Sequence, residues 1–217
     1  MSWFSRSRKE TAPAVDQLEA GAEVHRSLGL AALLDGMRRK GQGLKILDLG
    51  SAVGSNVEFL SQLGCKLHIG DLYATRTAAV APEGEQPGLD VLEQIFPPDV
   101  RLDVVLAWDV FSYLTRKEMV RLGALLRRNC RPGALVFCLV SNQKQIPAQP
   151  MRFRIQGNDQ LVYERRTAQE RTGPRYTPSE VTGFLKGFRV DRSFLLRHGI
   201  QEYLFIREEE EEETRVL

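Results

Sequence analysis

Cysteine and histidine are scarce in this sequence. Cys65, Cys130 and Cys138 form no close pair and no Cys-x-x-Cys, and His25, His68 and His198 stand isolated. That spacing argues against a structural metal and a disulfide framework, and it fits a reducing compartment. Long apolar runs are missing too. The longest, Ala134 to Val140, is strand-sized, whereas a membrane span needs roughly 18–20 residues. Met1 to Thr11 carry basic side chains but no apolar core, so no secretory signal is expected. Internal repeats and a linker are absent as well. These absences predict a cytoplasmic protein with no membrane span and no metal.

What is present suits one globular domain. At 217 residues, 42% hydrophobic and 27% charged, the chain can bury most of its unfolded surface without staples. The formal charge of +2 hides an asymmetry, because residues 208 to 213 are consecutive glutamates and the body before them is net basic. A run of like charge stays solvated, so 208–217 reads as a disordered acidic tail. The other reading is an acidic arm that screens a basic face of the same molecule. Both end the fold near Arg207.

Helical spacing of Val15, Leu18, Ala22, His25, Leu28 and Ala32 predicts helix over residues 13 to 40, broken or bent at Gly29 to leave a second helix through Leu30, Leu33, Leu34 and Met37. Residues 1–43 thus read as an N-terminal tail and helical cap. From Leu44 the pattern becomes alternating strands and helices, the mark of an α/β domain running to Arg207. Strands are expected at Leu44–Leu49, Lys66–Leu72, Leu102–Ala107 and Ala134–Val140. Capping boxes are read at Ser55/Glu58, Thr115/Glu118 and Thr177/Glu180, and a turn at Arg131-Pro132-Gly133. Residues 81 to 88 are loop by composition. Met151–Ile155 and Leu161–Tyr163 flank Gly157-Asn158-Asp159 as a hairpin, inside a lid-like insertion over 143–176. Phe188–Leu196 and Ile200–Ile206, joined at His198-Gly199, read as an antiparallel pair closing the sheet.

The informative stretch is Ile46-Leu47-Asp48-Leu49-Gly50-Ser51-Ala52-Val53-Gly54-Ser55-Asn56. A buried strand runs into small residues and then a helix. Gly50 and Gly54 allow an approach that a side chain prevents, and free N–H groups at a helix start can meet an anionic or polar ligand. Asp71 follows at the end of the next strand, where an acid is placed to accept from ribose hydroxyls.

These residues resemble the class I S-adenosylmethionine-dependent methyltransferases. Asp48-Leu49-Gly50-Ser51-Ala52-Val53-Gly54 is similar to the family's acid-x-Gly-x-Gly-x-Gly loop, with Ala52 in place of the middle glycine. Leu102 to Asp109 resembles its fourth strand, and Pro132-Gly133-Ala134-Leu135 the turn into its fifth. The resemblance implies an open, mostly parallel Rossmann-like α/β sheet with helices on both faces and an antiparallel last strand, in order 3-2-1-4-5-7-6. Because the span from Asp71 to Asp103 is short, the third strand is expected to be weak or missing. The resemblance further implies S-adenosyl-L-methionine as cofactor, bound by Asp48, Gly50, Ser51, Gly54, Asp71, Leu72 and Trp108. A nicotinamide Rossmann domain fits less well, since its Gly-x-Gly-x-x-Gly is absent.

After the fourth strand come Trp108, Asp109, Ser112 and Tyr113. Asp109 is the candidate catalytic residue, holding the donor's amine or deprotonating a substrate; the competing reading is that it caps the next turn. His198 either faces substrate or is simply exposed. No Asn-Pro-Pro-Tyr-like segment and no Pro-Cys context occurs at a strand end, which disfavours adenine, glutamine and cytosine-carbon methylation. Two arginine clusters, Arg116 to Arg131 and Arg152 to Arg175, read as solvated surface rather than as a phosphate track. A small-molecule substrate is therefore expected. The alternatives are an inactive methyltransferase-like binding or assembly protein, or an RNA methyltransferase.

Overall fold

The computed structural model describes residues 22–79, 89–196 and 199–209. In chain order the elements are β1 (Ala22–Arg26), α1 (Leu28–Lys40), β2 (Lys45–Asp48), α2 (Gly54–Gln62), β3 (Lys66–Ile69) and α3 (Leu72–Ala78). Then come β4 (Leu102–Trp108), α4 (Arg116–Asn129), β5 (Cys130–Ser141), β6 (Gln145–Pro147), β7 (Arg152–Ile155) and β8 (Gln160–Glu164). The chain ends with β9 (Glu170–Thr172), α5 (Pro178–Phe184), β10 (Phe188–Leu195) and β11 (Ile200–Arg207).

The central sheet has the order β10-β11-β5-β4-β2-β3. β3, β2, β4 and β5 are parallel, while β11 is antiparallel to both β5 and β10. Among the described residues no strand lies between β3 and β4, so the expected order holds with its third strand missing. Both faces are covered, which is why Ala134 to Val140 of β5 is buried without alternation. One face packs against Met119, Leu122 and Leu126 of α4 and Val181 of α5. The other packs against Leu30, Leu33, Leu34 and Met37 of α1, joined by Leu60 of α2. No described helix is long and apolar enough to cross a membrane.

Two of the three capping boxes form in full, at Thr115/Glu118 and Thr177/Glu180. The third does not. α2 begins at Gly54 with Val53 in the extended cap position, so Ser55 already lies inside the helix and no side chain caps its start. Helix is also overturned at residues 22–26. This segment is strand, paired antiparallel with β8 from Ala22↔Glu164 to Arg26↔Gln160, because a distant ladder outweighs local helical spacing. Ser27 then caps α1 by accepting from Leu30 N at 3.0 Å. Arg131-Pro132-Gly133 is not a separate turn but an irregular start of β5, where the register with β4 shifts and Gly133 takes φ +74°. Helix over 13–21, the loop at 81–88, His198 and the tail beyond 209 lie outside the described residues.

The hairpin at Gly157-Asn158-Asp159 forms as β7 and β8, and β1 completes a three-stranded sheet in the order β1-β8-β7. This sheet roofs the carboxyl ends of the parallel strands. Its Phe153, Ile155, Leu161 and Tyr163 join the α1-side core. Further ties to the body run from Ser27 N to Asp159 O at 2.8 Å, from Tyr73 Oη to Ala148 O at 3.0 Å and from Tyr113 Oη to Gln149 O at 2.9 Å.

Candidate active site

At the end of β2 the Asp48 carboxylate is buried, and its Oδ1 accepts from Gly50 N at 2.9 Å and Trp108 Nε1 at 2.6 Å. Burial pushes this carboxyl up to about 6; the Gly50 and Trp108 donors oppose the rise, and the charge of nearby Asp71 adds to it. Trp108 has φ +45°, an unfavourable backbone for a bulky residue. Its indole is fixed by the Asp48 bond, by stacking on Phe153 at 5.5 Å and 5°, and by an edge contact with Phe137 at 6.1 Å.

The two motif glycines have different surroundings. A Cβ on Gly50 would stand 2.6 Å from Trp108 Cδ1, so glycine here admits the chain's own indole. A Cβ on Gly54 would meet nothing within 4 Å, and Gly54 is exposed at the uncapped start of α2. Ser51 is half-buried beside it. Asp71 follows β3, half-buried, and caps α3 by accepting from Ala74 N at 3.0 Å. Gly70 N donates to Asp48 O at 2.8 Å, which draws the ends of β2 and β3 together. Leu72 faces the core with its side chain fully buried and donates its N–H to Leu49 O at 3.0 Å, so neither group is turned to the site.

Beyond Trp108, under the roof, lies a cavity of about 330 Å³ lined by Asp109, Tyr113, Leu139, Met151, Tyr163 and Ile200, among others. Asp109 occupies the cap position of the turn that follows it, but its side chain makes no capping hydrogen bond there. Its Oδ2 accepts from Met151 N at 3.0 Å, while Oδ1 is buried without a hydrogen-bond partner. Burial pushes the Asp109 carboxyl up to about 7, against the pull of the Met151 N–H and its own. The Tyr163 hydroxyl is likewise buried and unpartnered. Ser112 instead ties β5, accepting from Ser141 N at 3.1 Å.

No protein-family model matches the sequence, and no curated protein matches it. Solved structures do. The PH0226 protein from Pyrococcus horikoshii OT3 aligns at TM-score 0.52 and 17% identity, over 83% of this chain and 88% of that one. An S-adenosylmethionine-dependent methyltransferase from Clostridium acetobutylicum ATCC 824 aligns at TM-score 0.52 and 10% identity, over 83% and 91%. The N-methyltransferase NodS from Bradyrhizobium japonicum WM9 aligns at TM-score 0.50 and 14% identity, over 83% and 94%. The fold is the class I methyltransferase fold.

On this methyltransferase fold Asp48, Gly50 and Trp108 form one bonded cluster, with Ser51, Gly54 and Asp71 at the same carboxyl edge. Sequence reasoning missed three residues of the region. Asn56, in the first turn of α2, donates to Phe153 O and accepts from Ile155 N, both at 2.8 Å, and so binds the edge of β7. A polar residue in a first helical turn carries no signal of that role. Phe153 and Tyr163 read only as strand residues. The arginine clusters are largely ion-paired: Arg116 with Glu180 at 2.7 Å, Arg121 with Glu93, Arg131 with Asp103 at 3.1 Å, Arg154 with Glu164 at 3.0 Å and Arg165 with Glu170 at 3.0 Å. No group of three or more metal-ligating side chains occurs among the described residues.

Proposed function

We propose that this protein is an S-adenosylmethionine-dependent methyltransferase acting on a small molecule. The observation that carries the reading is the open, uncapped start of α2 at Gly54 beside the Asp71 carboxylate, at the edge of two parallel strands. Those residues fit the cofactor. The space a Cβ would fill at Gly54 is vacant, and helix-start N–H groups suit a polar or anionic moiety. The names of the Clostridium protein and of NodS point to the same chemistry.

When bound, S-adenosylmethionine supplies an electrophilic methyl group on a sulfonium. The protein's part is to hold and orient. In this reading Asp71 accepts from ribose hydroxyls, and Ser51 and Gly54 line the approach to α2. Asp48 fixes the loop through Gly50 N and keeps the Trp108 wall in place. The roof covers part of the cavity that Asp109 and Tyr163 line. Near-attack positioning is worth about 7–11 kcal/mol, whereas a general base adds about 10²–10⁴-fold, so placement dominates.

A methyltransferase-like binding or assembly protein is the second reading. It is favoured by the Trp108 indole, which lies against Gly50 and is stacked on Phe153. Calorimetry with the cofactor and its demethylated product separates these outcomes when combined with labelled-methyl transfer into metabolite, protein and RNA fractions of a cell extract. The enzyme binds both compounds, labels the metabolite fraction, and loses affinity and transfer in Asp71→Ala. Binding without transfer to any fraction supports the second reading. Equal affinity in wild type and Asp71→Ala overturns the placement of the cofactor.

A further inference from the structure

Two residues that line the cavity under the roof each hold a buried polar atom without a hydrogen-bond partner. Asp109 is 7% exposed and Tyr163 6%, and the cavity is lined by both. Asp109 Oδ1 and the Tyr163 hydroxyl have no hydrogen-bond partner. A buried polar atom left unpaired costs about 1–3 kcal/mol, and more when it carries charge, so both atoms favour a ligand that satisfies them. Asp109 Oδ1 is an acceptor whenever the carboxyl is ionised, which calls for an N–H or O–H donor.

The surrounding charge narrows the choice. Glu23 and Glu170 also line the cavity, and its arginine, Arg165, is paired with Glu170 at 3.0 Å. His25 Nε2 lies 3.1 Å from Glu23. With three carboxyl groups against one guanidinium, the lining disfavours an anion and favours a cation. Leu139, Ile146, Met151 and Ile200 add apolar wall, beside the neutral polar side chains of Ser112 and Ser141. Burial, then Glu202, then Asp109 push the Tyr163 hydroxyl up, so it stays protonated and can both accept and donate.

We propose that this cavity binds a primary or secondary amine on a small apolar or aromatic body, received by Asp109 Oδ1 and the Tyr163 hydroxyl. An ammonium group supplies several donors on one atom, enough for both. About 330 Å³ lies at the small end of ligand cavities and limits the body to a compact one. Asp109 directly follows Trp108 and Tyr163 packs edge-on against Phe153 at 4.9 Å, so both residues adjoin the Trp108–Phe153 stack that meets Gly50. That this amine is the methyl acceptor rests on the function proposed above; that it binds does not.

The test uses the full chain without cofactor, titrated with benzylamine and tyramine, and with benzyl alcohol and phenylacetate as controls. The amines are expected to bind at least about tenfold more tightly than the controls, and Asp109→Asn to weaken them by about tenfold or more. Asparagine keeps an acceptor for Met151 N, and thermal unfolding checks that the variant is folded. Tyr163→Phe keeps the ring contacts with Phe153 at 4.9 Å and His25 at 4.5 Å and is expected to weaken the amines a few-fold. Near pH 6 amine binding should release protons, since a cation beside Asp109 favours its ionised form. Equal binding of alcohol or carboxylate, amine affinity unchanged in Asp109→Asn, or no amine binding to the folded wild type overturns the proposal. Cofactor affinity is measured on the same samples. Amine binding without cofactor binding upholds this site and removes the methyltransferase reading, and the reverse removes this site alone.

Discussion

The side chain of Asn56 pairs with the backbone of Phe153 as a neighbouring strand would. It donates to the Phe153 carbonyl at 2.8 Å and accepts from the N–H two residues on, at Ile155, also at 2.8 Å. One amide thereby joins the helix after the glycine loop to the edge of the roof. All three groups are buried, so the junction has no water to fall back on.

Asn56→Ala is therefore expected to destabilise the protein by about 2–4 kcal/mol, leaving a carbonyl and an N–H unpaired. Asn56→Asp keeps the acceptor for Ile155 but sets a carboxylate against the Phe153 carbonyl. Its deficit should be larger at pH 8 than at pH 5, where a protonated carboxyl can donate again. Urea unfolding at both pH values checks this, and amide exchange at Ile155 locates it. An alanine variant within about 0.5 kcal/mol of wild type would mean the junction contributes nothing.

Gly50→Ala and Gly54→Ala should behave differently. The first drives a methyl group into the Trp108 indole and breaks its bond to Asp48, costing about 1–3 kcal/mol. The second meets no atom within 4 Å and replaces glycine in a helix, so stability is unchanged or rises by up to about 1 kcal/mol. If the cofactor docks at the start of α2, Gly54→Ala nevertheless weakens its binding. Thermal melts and cofactor titrations on the pair separate the two effects.

Asp48 should report its ionisation through Trp108. In a Trp3→Phe background, Trp108 emission is expected to titrate near pH 6, and Asp48→Asn to abolish the transition. The folded protein holds this proton more tightly than the unfolded chain, so the contribution to stability is full below about pH 4 and is lost as pH rises through about 6. From 3.8 to about 6 the loss is on the order of 3 kcal/mol. Asp109 adds a loss of the same sign, completed near pH 7. Asp48→Asn should flatten the stability profile between pH 4 and 6, and an unchanged profile would contradict the assignment.

Gly123→Ala should be among the most damaging single changes. The Phe184 carbonyl packs directly against Gly123, leaving no room for a methyl group between α4 and α5. A loss of about 3 kcal/mol or more is expected. Gly183→Ala, with nothing within 4 Å, serves as the neutral control. Chemical unfolding of the two variants gives the comparison directly.

Local chemistry made part of this protein legible in its sequence. The boxes at Thr115/Glu118 and Thr177/Glu180 close within one helical turn, and the β7–β8 hairpin turns on its own residues, so neighbours alone decide them. The alternation from Leu44 pointed to an α/β sheet, and the family resemblance carried by the Asp48-to-Gly54 loop implied its order. Tertiary structure decided the rest. Residues 22–26 are a strand because β8, more than a hundred residues later, offers them a ladder. Gly50 faces Trp108 because β4 lies beside β2. Asp109 and Tyr163 share one cavity only once the roof has folded down over β4. Those contacts join residues far apart in the chain, and their energy comes from burial and unpaired polar groups, which spacing along a sequence does not encode.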